Sequence, residues 1–313
     1  MSHTPEVPAV FHATDLALLA RGEGPLKTLH PAARLAVFGD PIAHSASPPM
    51  HNAALREGGR ELQYIRVRVR PEELPDALRH LPAAGFHGVS LTIPHKQAAL
   101  PLMDEVTREA RIMGAINTVR VVDGKLHGHN TDGPGLSAAI REEFGIPLKE
   151  LRVLILGGAG GAGRAITVQC ALEGCPSVTV ANRNPSKGDS LAEEIRESLG
   201  KDITSVSLDP DVLGQALSSV DLIINATPLG MKADDPSPLR DLPEELLNSR
   251  HLVYDTVYSG GETTLLRQAK GVGARSANGF SMLLHQGALQ NQLWFGAPAP
   301  LETMRSALTA LRN

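Results

Sequence analysis

Hydrophobic and polar positions along this chain switch repeatedly between a period of two and a helical period. Leu35–Phe38 is a short apolar run closed by Gly39-Asp40-Pro41. Ile65, Val67 and Val69 alternate with Arg66, Arg68 and Arg70, the period of a strand with its arginines on a solvated face. Val89–Ile93 is a further strand, halted by Pro94, and Ile116–Val122 with Lys125–His129 flank Asp123-Gly124, a hairpin turn signal. Helical spacing over 72–80 and 97–110 separates the strands. These elements predict a small α/β domain ending near Asp132. Residues 1–33 read as an extension, a partly disordered tail with one docked turn at Asp15–Arg21, capped by Thr14 and stopped by Gly22.

A helical segment, Gly135–Phe144, leads to a stricter alternation. Strand and helix follow each other at 151–156 and 162–173, 177–181 and 186–198, 203–207 and 211–217, with strands at 220–224 and 252–254 and a helix at 263–270. That rhythm implies a parallel sheet with right-handed crossovers. Residues 228–246, with prolines among acidic residues, form a loop, and 279–294 and 301–312 are helical. The fold class is therefore α/β with two domains. An N-terminal substrate domain over 34–134, completed by C-terminal helices within 279–313, accompanies a doubly wound, Rossmann-type domain over 135–278. The linkers near 132–135 and 276–279 are the expected hinges.

The second domain opens on a specific signal. The apolar run Leu151–Leu156 is followed by Gly158-Ala159-Gly160-Gly161-Ala162-Gly163 and a helix-like stretch, so a G-x-G-x-x-G turn joins strand to helix. Gly158 permits the tight turn, Gly160 lets a pyrophosphate approach the backbone, and Gly163 allows close helix–sheet packing. An NAD-preferring sheet places Asp or Glu about 20 residues further on. Here the next strand ends at Asn182-Arg183, with Asn184 following and Lys187 one turn on. Two cations in place of a carboxylate suit the 2′-phosphate of NADP.

Composition narrows the partners. A 313-residue chain with 42% hydrophobic and 20% charged residues is an ordinary globular protein, large enough for two domains. Its net charge of -4 gives no electrostatic reason to expect nucleic acid or an anionic membrane. No window approaches 18 apolar residues, the start lacks a signal-peptide pattern, and Cys170 and Cys175 are too few to staple the fold. A cytoplasmic protein with free thiols, monomer or homodimer, is expected. His127 and His129 share a strand face, but no third ligand follows at metal-site spacing. They read as exposed hairpin histidines, and no metal is expected.

Four polar clusters sit at strand ends of the first domain: His44-Ser45-Ala46-Ser47-Pro48, Thr92–Lys96, Gly114–Thr118 and Asn130–Gly133. Ligands of open α/β sheets collect outside the carboxyl ends of strands, so the clusters point to one crevice. Together they suit a polyhydroxylated acid: hydroxyls and amides orient hydroxyls, Lys96 carries a cation and a transferable proton, and Asp132 carries its partner. Taken singly, each has a plainer use. Lys96 can open a surface helix, Asp132 can cap one, Ser45 and Ser47 can cap the helix near Pro48, and Asn117 and Thr118 can serve a turn. His95, beside Lys96, is expected to point the other way.

The clusters occur in one order with Asn225–Met231, Tyr254–Tyr258 and Asn278–Gln286, and in that order the chain resembles the shikimate dehydrogenases from about Leu35 to Gly296. These NADP-dependent enzymes interconvert 3-dehydroshikimate and shikimate in aromatic amino-acid biosynthesis. The resemblance implies that Lys96 and Asp132 form the catalytic pair. It also implies that Ser45, Ser47 and Tyr258 hold the substrate carboxylate, while Thr92, Asn117 and Gln286 bond ring hydroxyls. For NADP it implies Gly158, Ala159, Gly160, Gly161, Ala162, Asn182, Arg183, Asn184 and Lys187, with Thr256 and Gly279 near the nicotinamide. Three positions depart from many members. Ser90 replaces an asparagine and shortens the reach to substrate, Gly260 replaces a proline and loosens its loop, and Thr256 stands where some members have methionine. Quinate/shikimate and aminoshikimate dehydrogenases are the alternatives within the class. A non-catalytic protein that senses NADPH or shikimate is the alternative outside it.

Overall fold

The computed structural model describes residues 10–258 and 261–311. In chain order the elements begin with β1 (Val10–His12), α1 (Ala13–Ala20), β2 (Ala32–Gly39), α2 (Ser47–Glu57), β3 (Leu62–Arg68), α3 (Leu74–His80), β4 (Gly88–Leu91) and α4 (His95–Ala98). They continue with β5 (Glu105–Val106), α5 (Arg108–Met113), β6 (Thr118–Val122), β7 (Lys125–His129), α6 (Asp132–Phe144), β8 (Arg152–Leu156) and α7 (Gly161–Glu173). The remainder are β9 (Ser177–Ala181), α8 (Pro185–Leu199), β10 (Thr204–Val206), α9 (Pro210–Ser218), β11 (Leu222–Asn225), β12 (Leu252–Asp255), α10 (Thr264–Gly271), β13 (Arg275–Asn278), α11 (Phe280–Phe295) and α12 (Leu301–Thr309). The chain divides into two compact units, one of residues up to Thr131 together with Gly287 onward, the other of Asp132–Gln286. The second division falls inside α11 and not in 276–279, which β13 largely occupies.

The first unit is a seven-stranded mixed sheet in the order β1-β3-β2-β4-β6-β7-β5. β2, β3 and β4 run parallel, whereas β6 is antiparallel to β4 and β7 to β6. The turn between β6 and β7 has positive φ at both Asp123 and Gly124, as a two-residue hairpin requires. Two sequence expectations change here. Residues 10–29 do not form a tail: Val10–His12 pairs in parallel with Arg66–Arg68, and Leu16 and Leu26 enter the core. Strand β1 is too short for alternation to reveal it. The proposed helix over 97–110 is broken into α4, a 3-10 turn at Leu100–Leu102, β5 and α5. Pro101 lacks the N–H that a continuing helix needs, and Thr107 then caps α5 by accepting from the Ala110 N–H.

Arg66 is the third correction. Arg68 and Arg70 are exposed, but Arg66 is buried and its guanidinium donates to the Ser45 carbonyl. The arginine face of β3 is therefore not uniformly solvated, because α2 and the loop before it cover part of it. His127 and His129 are half-buried and not exposed, with His127 facing Glu105 of β5 at 3.3 Å.

The second unit is a six-stranded parallel sheet in the order β10-β9-β8-β11-β12-β13. That is the 3-2-1-4-5-6 order of a doubly wound dinucleotide-binding sheet, reversing direction between β8 and β11. One face of the sheet packs Leu136, Ile140, Ile166 and Cys170 against Val153, Ile155 and Ile224. The other packs Leu213, Leu217, Leu265 and Ala269 against Leu154, Ile223 and Val253. Leu239, Leu242 and Leu247 join this second core, which fixes the proline-rich loop without making it helical beyond one turn at Glu244–Leu246. Among the described residues no helix is long and apolar enough to cross a membrane.

Candidate active site

Strand register brings the polar clusters of the first unit to one edge. Leu35–Phe38 of β2 lies beside Gly88–Leu91 of β4 in parallel, so the loops after both strands leave from the same end. Antiparallel pairing of Ser90 with Thr118, and of Thr118 with His129, returns the start of β6 and the end of β7 to that end. Ser45, Ser47, Thr92, Lys96 and Asn117 thus share an edge because β6, antiparallel to β4, starts where β2 and β4 end.

Each cluster has a local reason for its shape. The Ser45 hydroxyl accepts the Ser47 N–H at 3.3 Å where α2 begins. The Ser45 carbonyl receives Arg66, so the loop is held from both sides. Gly39 lets Thr92 approach: a Cβ there would stand 2.5 Å from the Thr92 methyl. After β4 the His95 ring turns into the core and meets the Val69 carbonyl at 2.7 Å, which leaves Lys96 half-buried on the other side of the turn. Burial lowers the pKa of His95, so it is a neutral anchor. The Lys96 carbonyl accepts the Ile116 N–H at 2.7 Å, tying this turn to the approach to β6. Asn117 is buried, its side-chain oxygen accepting the Thr131 N–H at 2.8 Å and the Thr118 hydroxyl at 2.8 Å. It therefore also shapes the turn that precedes Asp132.

In the second unit, Asp132 is buried in the first turn of α6, where a carboxylate suits the helix dipole. Gly135, one turn on, lets α6 approach α11: a Cβ there would stand 2.7 Å from the Gln286 Cβ. His285 meets Glu142 across the same two helices at 2.8 Å. The start of α11 is set by Tyr254, whose buried hydroxyl accepts the Met282 N–H at 3.1 Å. Asp132 and Gln286 are thus positioned by one helix pair.

The glycine turn after β8 fits a dinucleotide phosphate. A Cβ on Gly163 would collide with the Gly157 carbonyl, whereas at Gly161 it would meet nothing, so open backbone precedes α7. Asn182 at the end of β9 is buried and its side-chain oxygen accepts the Ala159 N–H at 3.1 Å, which joins the two candidate phosphate loops. Its amide nitrogen is buried without a partner among the described residues. Asn184 caps α8 by accepting from Ser186, while Arg183 and Lys187 are exposed beside it. Thr256 and Gly279 meet after the neighbouring strands β12 and β13, where a Cβ on Gly279 would collide with the Thr256 carbonyl. Tyr258 is partly exposed and packs edge-on against Phe280. The expected loosening at Gly260 falls outside the described residues.

Residues that sequence reasoning did not single out hold these loops. Asp255 is buried at the end of β12 and accepts from Asn225 at 2.9 Å, Thr263 at 2.6 Å and the Val257 N–H at 3.1 Å. Burial pushes its carboxyl upward, opposed by those donors. It fixes the segment carrying Thr256 and Tyr258. The signal was present in the Asn225 and Tyr254–Tyr258 motifs, but nothing in their spacing pairs them.

A polar sheet edge followed by a doubly wound sheet with a phosphate-binding turn and a cationic second loop defines a two-domain NADP-dependent oxidoreductase. Residues 37–119 match the shikimate dehydrogenase substrate binding domain, 139–233 the shikimate / quinate 5-dehydrogenase domain, and 279–309 the shikimate 5'-dehydrogenase C-terminal domain. The chain is 42% identical over 274 residues to a shikimate dehydrogenase (NADP+) of Desulforamulus reducens, covering 87% of this chain and 93% of the relative. It is 43% identical over 279 residues to one from Citrifermentans bemidjiense, covering 88% and 93%. The crystal structure of shikimate 5-dehydrogenase from Thermus thermophilus in complex with NADP(H) and shikimate superposes with a TM-score of 0.77 at 40% identity, covering 89% and 99%. The chain belongs to the shikimate dehydrogenase family.

Proposed function

We propose that this protein is an NADP-dependent shikimate dehydrogenase that reversibly reduces 3-dehydroshikimate to shikimate, with Lys96 and Asp132 as its acid–base pair. The observation that carries the cofactor choice is the end of β9, where Asn182 is bonded to the glycine turn and Arg183 and Lys187 stand where a ribose-binding carboxylate would otherwise be. Bound NADP supplies hydride chemistry, and the protein has to orient the carbinol carbon and manage one proton. During oxidation Lys96, as the neutral amine, would take the substrate O–H proton. During reduction Lys96 returns that proton to the forming alkoxide, and Asp132 holds the ammonium through a charge-assisted hydrogen bond. Ser45, Ser47 and Tyr258 take the substrate carboxylate in this reading, and Thr92, Asn117 and Gln286 the ring hydroxyls.

The test follows absorbance near 340 nm (the approximate band of reduced nicotinamide) with shikimate, quinate and aminoshikimate, each with NADP and with NAD. Turnover of shikimate with NADP is expected; preference for quinate or aminoshikimate moves the chain to a sister activity. Binding of both ligands without absorbance change makes it a sensor. Arg183→Ala should raise the KM for NADP roughly tenfold or more, because a hydrogen bond to a charged phosphate contributes about 1.5–3 kcal/mol. The KM for NAD should stay nearly constant; equal losses for both cofactors would remove Arg183 from 2′-phosphate recognition. Free Cys170 and Cys175 suit the reducing cytoplasm. A monomer or homodimer is the assembly this reading carries, and light scattering decides between them.

A further inference from the structure

Between α2, β3, β1 and α12 the first unit encloses a cavity of about 370 Å³. Every residue that lines it belongs to this unit, and none is among those assigned above to NADP or substrate. Its volume falls within the roughly 300–1,000 Å³ usual for small-molecule sites. The walls are mainly apolar, from Phe11, Leu29, Pro48, Pro49 and Ile65. Asn52 closes the main chain of β3 beside them. Its amide accepts the Tyr64 N–H at 2.8 Å and donates to the Tyr64 carbonyl at 2.9 Å. A peptide strand therefore finds no open backbone group at Tyr64, which argues for a small molecule as the occupant.

The cavity also contains a cation without an anion. Arg66 lines it and is only 5% exposed, and arginine is rarely buried so fully without a carboxylate partner. Among the described residues no carboxylate pairs with it. Its Nε and Nη2 both donate to the Ser45 carbonyl, at 3.2 and 2.5 Å, which uses one edge of the guanidinium. The other edge consists of Nη1 and the second hydrogen of Nη2. Nη1 has no hydrogen-bond partner among the described residues, yet it is not sealed from the surrounding space. That edge therefore has parallel N–H groups to offer to the cavity. Arg56, exposed, brings a second cation to the rim, and it too lacks an ion pair among the described residues. No Asp or Glu lines the space between them.

We propose that this cavity is a binding site for a small organic carboxylate with an apolar, ring-sized body. The carboxylate takes the open edge of Arg66, and the body lies against Phe11, Pro48 and Ile65. A guanidinium edge matches both oxygens of a carboxylate, and burial from water strengthens such a pair. The apolar walls cannot replace the hydration shell of an inorganic anion, so charge and body are both needed. The exposed Arg56 adds attraction at the rim. The site stands whether or not the chain turns over shikimate.

Calorimetric titration of the full chain with 2-naphthoate tests this. The comparison ligands are 2-naphthamide, which has the same body without the charge, and inorganic phosphate, which has charge without the body. Naphthoate should bind with a Kd below about 1 mM, and both comparison ligands at least about tenfold more weakly. Arg66→Lys keeps a charge and a donor for the Ser45 carbonyl but loses the paired N–H groups. It should weaken naphthoate about tenfold or more. Arg56→Ala should cost about threefold, as for an exposed charge. Ala307→Phe fills the cavity and should abolish binding. Absence of naphthoate binding, equal binding of naphthamide or phosphate, or unchanged affinity in Ala307→Phe would each overturn the proposal. If Arg66→Lys does not fold, Ala307→Phe decides alone; if Ala307→Phe does not fold, an unchanged affinity in Arg66→Lys overturns the proposal equally.

Discussion

Lys96→Ala is expected to lower kcat by roughly 10²–10⁴, the usual worth of a positioned acid–base group, while leaving NADP affinity nearly unchanged. The substitution is unlike most in a site because the turn around it is held by other atoms. His95 is anchored on the Val69 carbonyl, the His95 N–H on the Thr92 carbonyl at 2.8 Å, and the Lys96 carbonyl on the Ile116 N–H. None of these uses the lysine side chain, so alanine retains the backbone path. In the proposed reading NADP is held by Gly158–Ala162 and Asn182–Lys187, in the other unit, so its affinity should not respond. Stopped assays at saturating shikimate, with cofactor binding followed by emission from the single tryptophan, Trp294, or by calorimetry, separate the two quantities. Near-parental kcat would remove Lys96 from the chemistry. A matching loss of NADP affinity would mean that the turn had collapsed.

The second unit was legible almost element by element, because its signals are local. A buried parallel strand is a short apolar run, and each such run is followed here by a helix with its own start: Asn184 before α8, Asp209 before α9, Thr263 before α10. Strand β13 is not legible in the sequence because Arg275–Asn278 is an edge strand with two exposed residues and no apolar run. The first unit is less legible, for tertiary reasons. Alternation correctly marks β3, yet it assigns Arg66 to solvent; only the Ser45 loop lying over that face explains why a guanidinium is buried there. The candidate site shows the same limit. Spacing identifies polar residues at strand ends, but the partners that orient them, Arg66 for Ser45 and Gln290 for Ser90, lie 21 and 200 positions away. Periodicity carries no information at those separations.

Acidification should destabilise the protein well before its carboxylates titrate, and His51 should be the main cause. Burial holds the His51 pKa down to about 3, opposed by its hydrogen bond to Gln290, against 6.5 for the free side chain. Below pH 6.5 the unfolded chain takes up a proton that the folded chain refuses. Stability is therefore fully present above that pH and lost progressively as pH falls toward 3, at about 1.4 kcal/mol per pH unit. Two units of acidification cost about 3 kcal/mol, a large share of the 5–15 kcal/mol typical of a folded domain. Burial depresses His95 and His251 in the same direction. Asp255, whose pKa is raised, acts oppositely but only close to the carboxylate range, so the upper part of the window belongs to the histidines. Replacing His51 by glutamine keeps a donor for Gln290 Oε1 and removes the titration. Melting temperatures between pH 7 and pH 4.5 should then fall less steeply in His51→Gln than in the parent. Trp294, whose ring centroid lies 5.3 Å from that of His51, reports the same transition by its emission. Parallel profiles for the two proteins would show that the ring takes up its proton as readily in the folded as in the unfolded chain, and that charged imidazole would carry a second proton on Nδ1, for which no acceptor stands among the described residues.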